Sequence, residues 1–242
     1  MINNKNKKRL DSVILKKIKK GSRVLACGVG DGSEVQYLRS KKINTYGIDP
    51  SRINKNQIKK IEKYILRTEM NPKIFGKLKF DFIYAFEVIE HVGCKNYGVH
   101  LEKNFYEKRL FFIESIINKL NKKGVCFLTT LNKNFPLDIG HQHHYNFLGK
   151  ITKLFFKPSF SLCFDKKNFL LNYKDFKNIF EKLKKKEDNF NYKFVDMSLY
   201  PSIVRKRSFI SNLIKFYLKL INKTKLRTSF LNPLIGIEIN KK

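Results

Sequence analysis

At 242 residues the chain is long enough for one α/β domain with a sizeable core, and two full domains would be cramped. Its 51 Lys and Arg against 20 Asp and Glu give a formal net charge of +31. That balance points to RNA or an anionic membrane surface as a partner, or to the codon bias of an A/T-rich genome, which favours Lys, Asn, Ile, Phe and Tyr but does not by itself explain so few acids. No stretch approaches the roughly 20 apolar residues that span a bilayer, and the basic N-terminus lacks a signal peptide's apolar run, so a soluble cytoplasmic protein is expected. Cys27, Cys94, Cys126 and Cys163 are scattered without a C-x-x-C pair and read as small core residues of a reducing compartment.

In chain order, an amphipathic helix is expected from Leu10 to Lys19 before the Gly21-Ser22 stop. Strands follow at about 23–28, 44–49, 64–68, 80–86 and 124–131, with helices at 33–41, 53–63 and 104–120. A helix at about 173–186, a strand at 192–199, a helix near 208–222 and a last strand at 234–239 complete the pattern. The alternation predicts a doubly wound, mostly parallel seven-stranded sheet with helices on both faces. Continuous apolar strands such as Phe82-Ile83-Tyr84-Ala85 fit burial on both sides. Residues 133–172, aromatic and basic and interrupted by Pro136 and Pro158, read as a substrate lid, and 201–231 as a helical insertion before the last strand. The whole of 1–242 is then one domain with its ligand-binding core at 20–132.

Residues 24–32, VLACGVGDG, turn from an apolar run into glycines at 28, 30 and 32 and then into a helix-like segment. Such a strand, turn and helix start lets backbone approach a ligand closely. Asp49 ends the second apolar stretch 49 − 32 = 17 residues past the last glycine, where a carboxylate can accept from both hydroxyls of a ribose. The spacing G-x-G-x-G, rather than G-x-G-x-x-G, argues for a nucleoside and against a dinucleotide. Ligands of such sheets bind outside the strand C-termini, where Gly28, Asp49, Glu87 and Asn132 fall.

With FDFIYAFEVIEHV at 80–92 and LNKKGVCFLTTLN at 120–132, this ordered set resembles the class I, Rossmann-like S-adenosylmethionine-dependent methyltransferases, closely over residues 20–148. Part of the pattern is similar to the ubiquinone-biosynthesis O-methyltransferases. The resemblance implies that Gly28, Gly30 and Gly32 wrap the methionine part of S-adenosyl-L-methionine, that Asp49 holds its ribose, and that Phe86 and Glu87 lie beside it. It also implies an acid after the third strand that contacts adenine, for which Glu69 is the candidate. Ala26 stands where the resemblance implies an acid, so that one hydrogen bond to the cofactor is either missing or supplied through water, and this is the one hint of a non-catalytic scaffold.

All five histidines, His91, His100, His141, His143 and His144, lie between the fourth strand and the lid, which marks the substrate site. His91 and a lid histidine, His144 foremost, are the candidate bases for methyl transfer to oxygen. Glu87, Glu90 and His91 would share a helical face if a helix began at Glu87. With a lid histidine they would then resemble the metal site of Mg²⁺-assisted RNA ribose 2′-O-methyltransferases, whose ion polarises vicinal hydroxyls. The leading reading remains O-methylation of a small-molecule, lipid-linked or saccharide acceptor; metal use stays open. From Ser208 to Lys223 an apolar face opposes Lys215, Lys219 and Lys223, a pattern that fits either packing on the domain or peripheral contact with an anionic membrane.

Overall fold

The computed structural model describes residues 2–51, 61–138, 161–162, 168–198 and 209–242. Among them, strands β1 (Arg23–Cys27), β2 (Asn44–Ile48), β3 (Ile65–Leu66), β4 (Phe80–Phe86), β5 (Leu120–Leu131), β6 (Phe190–Phe194) and β7 (Leu234–Lys241) form one seven-stranded sheet in the order β3-β2-β1-β4-β5-β7-β6. The strands from β1 to β5 pair in parallel, and β7 runs antiparallel to both of its neighbours. The order reverses between β1 and β4, and ligands of open α/β sheets bind at that switch point.

Helices α1 (Asn4–Arg9), α2 (Ser33–Ser40), α3 (Phe105–Lys119), α4 (Tyr173–Lys186) and α5 (Phe209–Lys223) cover the two faces. Period-two alternation divides the sheet between them. Leu25, Cys27, Ile83 and Ala85 face a core built with Ile113 and Ile116 of α3 and Phe176 and Phe180 of α4. Val24, Ala26, Phe82, Tyr84 and Phe86 face the other side, against Leu10 and Ile14, Val35 and Leu38 of α2, and Leu218 of α5. The doubly wound, mostly parallel sheet is therefore as the sequence predicts.

Several boundaries differ. The N-terminal helix starts earlier, because the Asn3 side chain accepts from the Asn6 amide at 2.8 Å and caps it. It then runs into a π-helical turn, Leu10–Ile14, rather than continuing to Lys19. That turn places Leu10 and Ile14 in the core. β6 begins two residues before the expected 192, since buried Phe190 anchors the strand. β7 extends to Lys241 because it has a partner on each side. The expected helix 53–63 falls mostly outside the described residues; 62–64 form a single 3₁₀ turn. Of the expected lid, Leu137–Asp138 pairs antiparallel with Ser161–Leu162, and His141, His143 and His144 lie outside the described residues.

Cys27, Cys94 and Cys126 are free and buried, as core cysteines should be; Cys163 lies outside the described residues. No helix among the described residues is long and apolar enough to cross a membrane.

Candidate active site

A cleft of about 320 Å³ opens at the C-terminal ends of β1, β2 and β4. Its floor is Cys27, Gly28, Ile48, Asp49, Phe86 and Glu87. Four of the six predicted cofactor residues, Gly28, Asp49, Phe86 and Glu87, therefore meet in one place.

Gly28 has φ +74°, and a Cβ there would stand 2.4 Å from Val88 Cγ2, so only glycine fits between β1 and the turn after β4. Gly30 does not line the cleft. Its amide donates to Asp49 Oδ2 at 2.6 Å, and its carbonyl accepts from Arg67 Nη1 at 2.9 Å. Gly32 is the N-cap of α2, also outside the cleft wall.

Asp49 is thus a structural acceptor as well as a candidate ligand. Its Oδ1 accepts from the Ser51 amide at 2.8 Å and from the Ser51 hydroxyl. Three of roughly four acceptor positions of the carboxylate are then occupied. Two ribose hydroxyls would fit only if the Ser51 hydroxyl turned away.

Glu87 takes φ +56°, so no helix begins there, and the following 3₁₀ turn covers only Ile89–His91. This corrects the expectation of one helical face carrying Glu87, Glu90 and His91. Glu87 lines the cleft and Glu90 is fully buried. The Glu90 backbone carbonyl accepts from Arg109 Nη2 at 2.9 Å. Among the described residues no three His, Cys, Asp or Glu side chains form a metal-binding group. His91 lines the cleft, its ring stacked near Phe169 at 6.0 Å. Its Nδ1 lies 2.9 Å from the Gly98 carbonyl, which can only accept, so Nδ1 is the donor in that bond.

Asn132, expected at the ligand edge, is instead buried and ties the end of β5 to the segment before β7. Its Nδ2 donates to the carbonyls of Ser229 and Asn232 at 3.1 and 2.8 Å. A side chain with both donors engaged inside the protein is not a ligand contact.

Ala26 is paired with Tyr84 across the sheet, and the Tyr84 hydroxyl donates to Glu34 Oε2 at 3.2 Å. Glu34, buried on α2, also accepts from Arg9 Nη2 at 3.1 Å. Burial pushes the Glu34 carboxyl up while Arg9 pulls it down, and burial wins. The same guanidinium lies 4.4 Å from the Phe86 ring centre and 3.8 Å from Glu87 Oε1. Arg9 thereby links the N-terminal helix to two residues of the cleft floor.

Sequence reasoning missed the opposite wall. Thr68, Met70, Val92, Gly93, Tyr97, Lys108, Phe111 and Phe112 all line the cleft. The Tyr97 hydroxyl donates to Glu69 Oε1 at 3.0 Å, and burial together with that bond pushes the phenol up to about 12. Glu69, the adenine candidate, is therefore on the cleft rim. Residues 93–103 carry no periodic signal that would have announced a wall, and the helix expected at 104–120 does not by itself say that Lys108, Phe111 and Phe112 face the cleft.

The family model of the methyltransferase domain matches residues 3–182, about three quarters of the chain and all of the cleft. The chain belongs to the methyltransferase family. Solved structures agree on the fold. The plantazolicin methyltransferase BpumL, in complex with SAH, superposes with a TM-score of 0.53 at 14% identity, covering 97% of this chain and 82% of that one. A SAM-dependent methyltransferase from Archaeoglobus fulgidus gives 0.50 at 16%, covering 97% and 91%. A TehB-like SAM-dependent methyltransferase from Corynebacterium glutamicum gives 0.51 at 12%, covering 99% and 89%. No curated protein sequence matches this methyltransferase. Its enzyme class, a methyl-transferring enzyme, follows from the family; its acceptor does not.

Proposed function

We propose that this methyltransferase uses S-adenosyl-L-methionine to methylate an oxygen of a small-molecule, lipid-linked or saccharide acceptor held at the mouth of the cleft. The observation that carries the reading is the meeting of Gly28, Asp49, Phe86 and Glu87 at the switch point of the sheet. The residues fit a nucleoside. A Cβ at Gly28 would close the gap to Val88, Ile48, Met70 and Phe86 form apolar wall, and Asp49 and Glu69 supply acceptors for hydroxyl and amine groups.

When bound, the cofactor supplies an electrophilic methyl group on a sulfonium centre. The chain's own residues position, exclude water and move a proton. Asp49 would accept from the ribose, with Ser51 releasing its hydroxyl bond. Gly28 would admit the methionine part past Val88, and Glu87, steadied by Arg9, would face the ammonium group. Phe111 and Phe112 of α3 would shield the reacting atoms from water. His91 Nε2 would take the acceptor's proton, its tautomer fixed by the Nδ1–H bond to Gly98. The lid histidines, His144 foremost, remain the second candidates for that role.

Transfer of labelled methyl from S-adenosylmethionine to small-molecule, lipid, glycan and RNA fractions of the native cell tests the reading. Label is expected in one of the first three, with His91→Ala lowering turnover by about 10²–10⁴-fold at nearly unchanged cofactor affinity. Label found in RNA alone would reject the proposed acceptor class. Full turnover by His91→Ala would move the base to the lid.

A further inference from the structure

Helix α5 buries Leu218 and Ile221 and partly buries Ile214 and Tyr217 against the sheet. Its apolar arc is wider than the surface it covers. Leu213, Phe216 and Leu220 are 51%, 66% and 52% exposed. At about 100° per residue these three lie within roughly 60° of one another, beside the buried arc. Lys215, Lys219 and Lys223 run along the other border of the stripe. The chain continues from α5 into exposed Leu226 and Phe230. Single exposed apolar residues are ordinary, but an aligned stripe rimmed by cations marks an interaction surface.

Charge selects the partner. Between Met197 and Pro233 the sequence holds Arg205, Lys206, Arg207, Lys215, Lys219, Lys223, Lys225 and Arg227 and no Asp or Glu. A second copy of the chain would bring two lysine rows together, each on a molecule of net charge +31. An anionic bilayer instead offers phosphates to the lysines and hydrocarbon to the stripe. We propose that α5 lies in the headgroup region of an anionic membrane, with Leu213, Phe216 and Leu220 inserted and Lys215, Lys219 and Lys223 beside lipid phosphates. This goes beyond methyl transfer and holds whatever the acceptor is.

Flotation of the full chain with vesicles of phosphatidylcholine alone, and of phosphatidylcholine mixed with phosphatidylglycerol, tests the proposal. Binding is expected to the mixed vesicles only, weakening as salt is raised. Phe216→Asp should lower the affinity at least about tenfold, because an inserted aromatic ring becomes a charge. Replacing Lys215, Lys219 and Lys223 by Gln together should lower it on the order of 10²-fold. These side chains are solvent-exposed, so melting temperatures should not change. The chain has no tryptophan, so Phe216→Trp provides a single reporter whose emission should shift to the blue on mixed vesicles. Failure to bind either vesicle would overturn the proposal. So would binding lost in the lysine variant but kept in Phe216→Asp, which would mean a charged surface without insertion. A dimer abolished by Phe216→Asp, without vesicle binding, would show that a second copy covers the stripe.

Discussion

Arg9 does three jobs with one guanidinium. It pairs with buried Glu34, lies against the Phe86 ring and approaches Glu87 across the cleft floor. Removing it alone leaves a carboxylate inside the protein without its cation. Arg9→Met should therefore cost about 3–5 kcal/mol in urea unfolding at neutral pH, the usual penalty for breaking a buried pair. Arg9→Met with Glu34→Leu should recover most of that loss, because neither charge is then stranded. Equal losses in the single and double variants would mean that Arg9 acts through packing rather than charge. None of this was legible in the sequence. Arg9 and Glu34 are 25 positions apart, and the pair exists only because α1 and α2 pack on the same sheet face, beside Ala26. Asp49 was legible for the opposite reason, since its position follows from one helix and one strand of local sequence.

At the level of elements, the strands and most helices could be read because their apolar periods are long, and the turns after β4 could not. Glu87 at φ +56°, followed by a single 3₁₀ turn, leaves Glu87 and His91 on the cleft and Glu90 buried, where helical spacing would have put all three on one face. The same connection depends on Gly93. Its φ is +79°, and a Cβ would lie 2.6 Å from the Cα of Phe105, a backbone atom at the start of α3 that has little room to yield. Gly93→Ala combines a strained conformation with overpacking, and a loss of about 1–3 kcal/mol or more is expected in urea unfolding. Because Gly93 also lines the cleft, cofactor affinity should fall in the fraction that still folds. An unchanged denaturation midpoint would show that α3 can slide away from the turn.

For the whole molecule, the doubly wound class follows from alternation alone, and at the antiparallel edge charge adds to the backbone pairing of β7 with its two neighbours. Glu238 of β7 receives Lys17 from the N-terminal segment at 2.6 Å and Lys193 of β6 at 2.7 Å. Burial pushes its carboxyl up, yet the bonds and charges of the two lysines outweigh burial and hold it below the usual range. A carboxyl lowered on folding contributes stability that is present above the unfolded carboxyl range and is lost as pH falls through the folded one. The stability difference between the native chain and Glu238→Gln should therefore be constant above about pH 4.3 and shrink below it. A difference independent of pH would remove the linkage. The sequence shows the lysine excess but not which lysines are paired: Lys17 and Lys193 share Glu238, whereas the row on α5 faces solvent.

The central claim is that the cleft at the ends of β1, β2 and β4 holds the nucleoside of the methyl donor through Asp49. Calorimetric titration of the native chain and of Asp49→Ala with S-adenosylhomocysteine tests it most directly. Saturable binding at one site per chain is predicted for the native protein, with a loss of about 1–3 kcal/mol in the variant, which forfeits both ribose contacts and the grip on the Gly30 amide. Equal affinity in the two proteins, at equal folded fraction, would contradict the assignment.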